Sequence, residues 1–424
     1  MPAPGQAWLP GTPAAAVDAA PPEGLALMPV AAFSGRRTLV ALGEVEAELL
    51  TGKLRAVADE LPVARLRLTG PAEAVLARAA ALAGDLHLLP PTASLAEAGR
   101  ALARGEAPRP RRRGPPALAD AASVEAALLA ALGHLLEVML SHAPGCRLGA
   151  GPEGVHQTRV ALRRLRSVLK AFRPAAGGPA LAEFDAGLAA LAKTLGPARD
   201  WDVFLAGTGA EAAEAIGGDR RLAALLKAAE ARRQEAYASL GRQLEGPAFP
   251  RLVLAGLALM LLRPWREVPG DTSGDAPRDK ARDTSNDRTA LLDQPLAEFA
   301  AALLDKRWHR LRKRGEAIEA HGAEALHEVR LDAKRLRYAA ELFAPLWPGK
   351  AARRFLRRLT ALQEELGVAN DMAVARGLVG SLGAGVPAWA VGAVEGFAAG
   401  RTGRARRHAL EAWDALLEAS PFWR

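Results

Sequence analysis

VHQTRVALRRLRSVLKAFRP, residues Val155 to Pro174, returns 171 positions later as LHEVRLDAKRLRYAAELFAP, residues Leu326 to Pro345. The two copies share a His, an Arg, an Arg-Leu-Arg triplet, a Phe and a Pro at this offset. The same offset continues into the next segment, where LAKTLGPARD, ending at Asp200, matches LQEELGVAND, ending at Asp371. A repeat of this length predicts a duplicated subdomain rather than a solenoid of short units.

The composition favours a mainly α-helical chain. Half of the 424 residues are apolar, and Gly and Pro cluster between Ala- and Leu-rich periodic stretches. The formal charge of +9 suggests an anionic partner without identifying it. Because Cys146 is the only cysteine, an internal disulfide and a cysteine-based metal site are both excluded, and a reducing cytoplasm is expected.

We expect neither export nor a membrane span. The first residues lack the charged start and apolar core of a secretory signal. The longest apolar run, Leu252 to Leu262, has 11 residues, whereas a membrane-spanning helix needs about 20. This run is therefore predicted to be a buried bundle helix in a cytoplasmic protein.

The chain is predicted to divide at changes of composition. Strands are expected only between Arg36 and Gly70, because charged and apolar residues alternate there in a way typical of strands with one polar face. LGPARD and LGVAND are interpreted as helix breaks. The predicted divisions are an irregular N-terminus (1–32), a small α+β domain (33–104), a basic Pro-rich linker (105–117), a first helical bundle (118–263), a polar and disordered loop (264–295) and a second helical bundle (296–424).

The repeated helix carries a narrow basic face. At 100° per residue, Arg159, Arg163, Arg166 and Lys170 fall within about 60° of one another, opposite an apolar stripe. The second copy repeats this layout with His327, Arg330, Lys334 and Arg337. Cations at such spacings repel one another, and those at the helix start also oppose the helix dipole unless an anion is held there. Phosphate groups in a row would suit a row of arginines.

Other interpretations of these residues stay open. A charge run is usually a solvated helix face, and His156 or His327 could simply bond a carbonyl at the helix start. Neither histidine has the second His or carboxylate that a metal site requires on its own face. Asp200 and Asp371 are expected to orient a basic side chain or to cap a helix. A third basic segment with Lys306, Arg310 and Lys313 either adds a wall to the same site or faces solvent.

From Asp120 to Trp423 the sequence resembles the CHAD family, the conserved-histidine α-helical domain. VHQTRVALRRLRS, LGPARDWDVF, LHEVRLDAKRLRYAAELF and LQEELGVANDMAVA match its characteristic segments in order. The resemblance implies two related helical bundles about a pseudo-twofold axis, basic residues of both halves lining a central groove, and non-catalytic binding of inorganic polyphosphate on polyphosphate granules. The matching positions are His156, Arg159, Arg163, Arg164 and Arg166 in the first copy and His327, Arg330, Lys334, Arg335 and Arg337 in the second. Arg199 becomes Asn370 in the second copy, so the site need not be symmetric.

The N-terminal region resembles the latter part of a CYTH domain, the triphosphate-tunnel fold that often precedes CHAD. EVEAELLTGKLRAV and the segment from VARLRLTG onwards follow that family's order of strand, strand, helix and tail. The E-x-E-x-K motif of active members is missing from residues 1–40, and Arg65 and Arg67 stand where an acidic strand is usual. This departure predicts a shortened, degenerate domain that has lost hydrolysis.

Three hypotheses follow, and the leading one requires no cofactor. The first is polyphosphate binding between the two basic faces. The second places RNA or DNA in the same groove, although beyond Gln157 the stripes lack the aromatic platforms and amide side chains that read bases. The third is metal-dependent triphosphate hydrolysis by the N-terminal domain. Glu44, Glu46 and Glu48 could hold the metal, or they could pair across the sheet with the basic residues Lys53, Arg55, Arg65 and Arg67.

Overall fold

A computed structural model describes residues 30–106, 113–266, 287–316, 318–320 and 322–424 of the chain. The chain divides into two compact units, Met1–Leu82 with Leu89–Pro110, and Ala83–Leu88 with Arg111–Arg424. Most of the predicted irregular N-terminus, the centre of the predicted linker (107–112) and the centre of the predicted polar loop (267–286) lie outside the described residues.

The first unit contains a three-stranded antiparallel sheet. Its strands are β1 (Ala31–Leu42), β2 (Val45–Ala56) and β3 (Glu60–Thr69), paired in the order β1-β2-β3. Gly43, at φ 72°, takes the left-handed conformation that the tight turn between β1 and β2 requires. Helices α1 (Ala72–Asp85) and α2 (Leu95–Ala103) follow along the chain, and Ser94 and Glu97 form a capping box at the start of α2.

The expectation of one polar face on β2 is wrong. Val45 and Ala47 are buried on one face of the strand, and Leu54 is buried on the other. An added Cβ at Gly99 of α2 would lie 3.7 Å from Leu54, which shows that this helix covers the second face at that end of the strand. Both faces of the sheet therefore contribute to packing.

The second unit is helical. Its helices follow one another as α3 (Val124–His142), α4 (Glu153–Phe172), α5 (Pro179–Ala206), α6 (Thr208–Ile216), α7 (Arg220–Glu245), α8 (Ala248–Leu262), α9 (Leu296–Arg314), α10 (Ala323–Phe343), α11 (Lys350–Gly380) and α12 (Ala388–Leu417). Residues 287–293 are also helical and lead into α9. The mainly helical fold with a small N-terminal sheet confirms the predicted fold class.

The repeated sequence forms equivalent helices that meet at their equivalent residues. α4 corresponds to α10, and α5 corresponds to α11. Phe172 of α4 and Phe343 of α10 occupy the same repeat position, and their ring centroids are 6.0 Å apart. Phe299 of α9 stacks on Phe172 at 5.4 Å. A contact between equivalent side chains indicates that the pseudo-twofold axis passes between α4 and α10.

The predicted helix breaks at LGPARD and LGVAND are absent. α5 continues through Gly196 and Pro197, and α11 continues through Gly367. An interior proline removes one backbone hydrogen bond and costs about 3 kcal/mol. In α5 the loss is offset because Leu195, Ala198 and other residues on both sides of the proline are buried in the bundle.

The predicted buried helix at Leu252 to Leu262 corresponds to α8, in which the residues Leu252, Val253, Gly256 and Leu259 are buried. In the described part of the chain, one helical stretch, Val124–Gly145, is long and apolar enough to cross a membrane, and the pair α7 and α8 passes the same test as one span bent by 53°. More than half of the first stretch is buried inside the protein. α3 is thus a core helix of the bundle.

Candidate functional site

A cavity of about 520 Å³ lies between the two repeats of the second unit. α4 and α5 supply one side, and their repeat counterparts α10 and α11 supply the other. Its polar lining comprises His156, Arg159, Arg163, Arg199, Asp200, Arg330, Lys334, Asn370 and Asp371. Its apolar lining comprises Val160, Val203, Phe204, Val374, Ala375 and Leu378, with Thr208.

Helix periodicity explains why these side chains face the cavity. Arg159 and Arg163 are four residues apart on α4, one turn above the other, and Arg330 and Lys334 repeat that spacing on α10. The opposite face of α4 is apolar, and its residues Leu162, Leu165 and Phe172 are fully buried. Burial of that stripe fixes the rotation of the helix and so directs the basic face into the cavity.

The cavity holds more positive than negative charge. Five cationic side chains, Arg159, Arg163, Arg199, Arg330 and Lys334, face two carboxylates. Among the residues that the structure describes, none of these five cations has a carboxylate oxygen within 4.0 Å. Five cations and two carboxylates leave an excess of three positive charges in the cavity, and such an excess creates a field that favours an anion.

Three contacts with neutral groups orient the arginines. The Arg159 Nη1 donates a hydrogen bond to the Ala192 carbonyl at 3.3 Å, and the Arg330 Nη1 donates one to the Asn370 Oδ1 at 3.4 Å. The Arg163 guanidinium lies 5.2 Å from the centroid of the Tyr338 ring, which belongs to the other repeat. Each guanidinium has five N–H donors, so these contacts leave donors for a ligand.

The cavity environment disfavours the charged form of Lys334. Burial and the neighbouring guanidinium groups, led by that of Arg163, lower the pKa of Lys334 to about 8. Burial also lowers the pKa of Arg159, although the carboxylate of Asp200 acts in the opposite direction. A bound anion would relieve this repulsion and stabilise the charged form of Lys334.

The pKa values of His156 and Asp200 are also shifted, in both cases against the charged form. Burial lowers the pKa of His156, and the charge of Arg199 adds to that effect. Burial raises the pKa of Asp200, the nearby Asp371 also raises it, and Arg159 counteracts both. Asp200 lies in the interior of α5 and Asp371 in the interior of α11, so neither carboxylate is a helix cap.

Four predicted site arginines lie elsewhere, each beside an acid. The Arg166 Nε donates to the Asp185 Oδ1 at 2.7 Å, and Arg335 lies 2.6 Å from Asp332. The other two arginines share one acid. Glu341 approaches Arg164 at 3.7 Å and Arg337 at 3.1 Å. These four arginines are not among the residues that line the shared cavity, and nearby carboxylates neutralise their charge.

The third basic segment does not form a wall of this cavity. Lys306 and Lys313 are exposed on α9, and Lys170 is exposed on α4. Arg310 donates instead to the buried Asp332 at 3.2 Å. Of the two possibilities that the sequence leaves open for this segment, the structure favours solvent exposure for the lysines and an ion pair for the arginine.

The two equivalent histidines have different environments. His156 lines the shared cavity, whereas His327 is exposed at a second cavity, described below. Sequence reasoning missed Arg199 and Tyr338 as site residues. The position of Arg199 inside a repeated segment was a usable signal, but nothing in the sequence pairs Tyr338 with Arg163. In the described part of the chain, no group of three or more His, Cys, Asp or Glu side chains could hold a metal ion.

Comparison with known proteins identifies the architecture. The sequence profile of the CHAD domain matches residues 130–380. The crystal structure of the CHAD domain from the plant Ricinus communis has 30% sequence identity and a TM-score of 0.55, and the match covers 74% of this chain and 98% of that one. PptA from Streptomyces chartreusis is similar in fold, with a TM-score of 0.50 and 17% sequence identity. That match covers 69% of this chain and 99% of PptA. No curated protein matches the chain.

Proposed function

Because the chain belongs to the CHAD family, we propose that it binds inorganic polyphosphate, without catalysis, in the cavity between its two repeats. The observation that carries the proposal is the set of five cations from both repeats, none within 4.0 Å of a carboxylate in the described part of the chain. A linear polyanion offers one phosphate after another to such a set. Many contacts to one polymer add through effective concentration, which gives tight but salt-sensitive binding.

The cavity lining offers little for the recognition of nucleic-acid bases. Bases require stacking surfaces or amide groups that read their edges. The aromatic residue of this lining, Phe204, is buried with 2% of its surface exposed, so it offers no platform. The amide of Asn370 also lines the cavity, but it already accepts a hydrogen bond from Arg330 and donates one to Asp371. Polyphosphate should therefore displace a bound oligonucleotide at a far lower phosphate concentration than the reverse.

Charge reversal tests the proposed site. Arg159→Glu combined with Arg330→Glu should weaken retention of long-chain polyphosphate by more than ~100-fold, since loss of a buried charge contact costs about 2–5 kcal/mol. The matched control is Lys227→Glu with Lys350→Glu, which changes the net charge equally at two exposed positions outside the cavity lining. Unchanged binding by a folded double variant of the cavity, or an equal loss in the control, would reject the proposal.

Granule association follows from the same binding. A fluorescent fusion of the full chain should co-localise with polyphosphate granules, and the doubly reversed cavity variant should be diffuse. Granule localisation that survives the double variant would assign recruitment to another surface.

We propose in addition that the N-terminal unit is a shortened triphosphate-tunnel domain without hydrolytic activity. Glu48 is engaged by Arg37 at 2.5 Å and by Arg67 at 3.5 Å, and Glu44 lies in the turn before β2. These contacts support the cross-strand interpretation of Glu48. Incubation with tripolyphosphate and Mg²⁺ or Mn²⁺ should release no phosphate, and release by the purified chain would overturn this view.

A further inference from the structure

We propose that a second cavity, between α10, α11 and α12, binds a small amphipathic anion, with its apolar body inside and its carboxylate or phosphate at His327 and Arg330. The proposal concerns a different ligand from polyphosphate, which has no apolar surface. It does not depend on the function proposed above.

The second cavity has the size and lining of a small-molecule site. Its volume is about 420 Å³, within the range of roughly 300–1,000 Å³ that is typical of such sites. Its walls are mostly apolar and include Leu326, Leu366, Ala373, Ala405, Ala409 and Leu410. Apolar walls bind the apolar part of a ligand by removing it from water.

A difference between the repeats explains why this space is open. In the first repeat, Tyr237 of α7 is buried, and its hydroxyl donates to the Asp202 Oδ2 at 2.8 Å. Arg233 donates to the other oxygen of the same carboxylate at 2.8 Å. At the repeat offset of 171, Ala373 replaces Asp202 and the exposed His408 replaces Tyr237, so the buried tyrosine and its hydrogen bond have no counterpart. The cavity is lined there by Ala373 of α11 and by Ala405 and Ala409 of α12. Short side chains in the second repeat therefore line a cavity where the first repeat has a filled and hydrogen-bonded interior.

The polar groups at the rim favour an anion. The Arg330 Nη1 bonds the Asn370 Oδ1 at 3.4 Å, which leaves other donors of the guanidinium for a head group. His327 is exposed on the same helix, one turn earlier. Glu365 is the one acid among the described lining residues, and its Oε2 lies 3.7 Å from the His408 Nδ1. The guanidinium groups of Arg330 and Arg406 and the imidazole of His327 give this otherwise apolar chamber a basic, hydrogen-bonding rim. Such a rim is complementary to a ligand that is apolar at one end and negatively charged at the other.

The aromatic sulfonate 1-anilinonaphthalene-8-sulfonate is a suitable probe. When the full chain is titrated into the probe without polyphosphate, the fluorescence of the probe should increase and saturate at one probe molecule per chain. Ala373→Phe, which places a ring in the cavity, should weaken this binding at least ~10-fold, as a blocked pocket requires. The matched control, Ala238→Phe at an exposed position of α7, should bind the probe like the wild type. Equal binding by the blocked and control variants would overturn the proposal.

Two further arms keep the test decisive. Ala369→Phe blocks the same cavity from another exposed position, so a folding defect in one blocked variant does not leave the question unanswered.

Decanoate should displace the probe at a concentration at least ~10-fold lower than decanol, because a charge-assisted contact contributes about 1.5–3 kcal/mol. His327→Ala should reduce that preference. Equal displacement by the acid and the alcohol would refute the anionic head group.

Discussion

At the scale of single residues, the cavity holds cations together at a cost in stability. Lys334 illustrates this cost, because burial and nearby guanidinium groups lower its pKa to about 8. Residues that serve binding commonly reduce the stability of the unliganded fold. Replacement of such a residue should therefore change stability and affinity in opposite directions.

Lys334→Met tests that trade-off. It keeps an unbranched side chain of similar length and removes the charge that is repelled by Arg163 and Arg330. The free energy of unfolding should rise by about 1 kcal/mol, measured by chemical denaturation, while the affinity for polyphosphate falls. A loss of stability together with a loss of affinity would show that the lysine has a structural role.

Lys334 should also make binding depend on pH. Above about pH 8 its amine loses its proton in the free protein, and a bound polyanion would favour the protonated form, so binding at high pH requires uptake of a proton. Affinity measured by fluorescence anisotropy should fall as pH rises from about 8. Without ligand, Lys334 binds more protons in the unfolded state than in the folded state between pH 8 and the usual lysine pKa of about 10.5, so its contribution to stability rises with pH in that window.

Lys334→Arg is the control for the pH effect, because an arginine keeps its charge throughout this range. Its affinity should stay nearly constant from pH 8 to 10. Identical pH profiles for the wild type and Lys334→Arg would assign the effect to another group.

The sequence predicts part of the site at this scale. Periodicity alone places Arg159, Arg163, Arg330 and Lys334 on inward faces, since burial of the apolar stripe sets the rotation of each helix. It could not reveal that Asp185 of α5 neutralises Arg166, because that contact depends on packing between helices. The acidic partners of Arg335 and Arg337 could be predicted, because both lie on α10 at helical spacing. Asp332 is three residues before Arg335, and Glu341 is four residues after Arg337.

At the scale of elements, the repeated LG-x-x-x-D segments lie within long helices. The structure keeps α5 helical through Pro197, which is exposed, so that Arg199 and Asp200 reach the cavity from the turn that follows. Local propensity predicted a break there, and tertiary burial of the surrounding residues overrides it. This is why the sequence gives the position of the segment but not its conformation.

Pro197→Ala should stabilise the protein. The substitution restores an N–H donor to the Lys193 carbonyl and relieves the clash of the ring, with an expected gain of about 1–3 kcal/mol in the free energy of unfolding. Val368→Ala, at the equivalent position of α11, should change stability by less than about 1 kcal/mol. A decrease in stability for Pro197→Ala would mean that the proline fits a bend that the bundle requires.

A buried carboxylate links α3 to the end of α8. Glu125 accepts hydrogen bonds from Trp265 at 2.8 Å and from both Nε and Nη2 of Arg266 at 2.7 Å. Chiefly because of the Arg266 hydrogen bond, the pKa of Glu125 is lowered, so its contribution to stability is lost as pH falls below the usual carboxylate range.

Glu125→Gln should therefore lower the free energy of unfolding at pH 7 by about 2 kcal/mol, the size of a hydrogen bond to a charged group. The difference between the variant and the wild type should shrink as pH falls below the usual pKa of a glutamate. A difference that does not change with pH would show that shape rather than charge matters at this position.

At the scale of the whole molecule, duplication is the feature that the sequence predicts most fully. The offset of 171 identifies equivalent helices, and the contact between Phe172 and Phe343 shows that the equivalent faces meet. The second cavity could not be predicted in this way. It depends on the loss of Asp202 and Tyr237, which Ala373 and the exposed His408 replace in the second repeat, and on the packing of α12 against α11.

The central claim is that one ligand-binding site is shared by the two repeats. Isothermal titration of the full chain with a short linear polyphosphate measures this directly through stoichiometry. One equivalent should bind per chain, and Arg159→Glu and Arg330→Glu, each alone, should weaken that single site. Two equivalents per chain, with one lost in each variant, would contradict the account, because each repeat would then bind its own ligand.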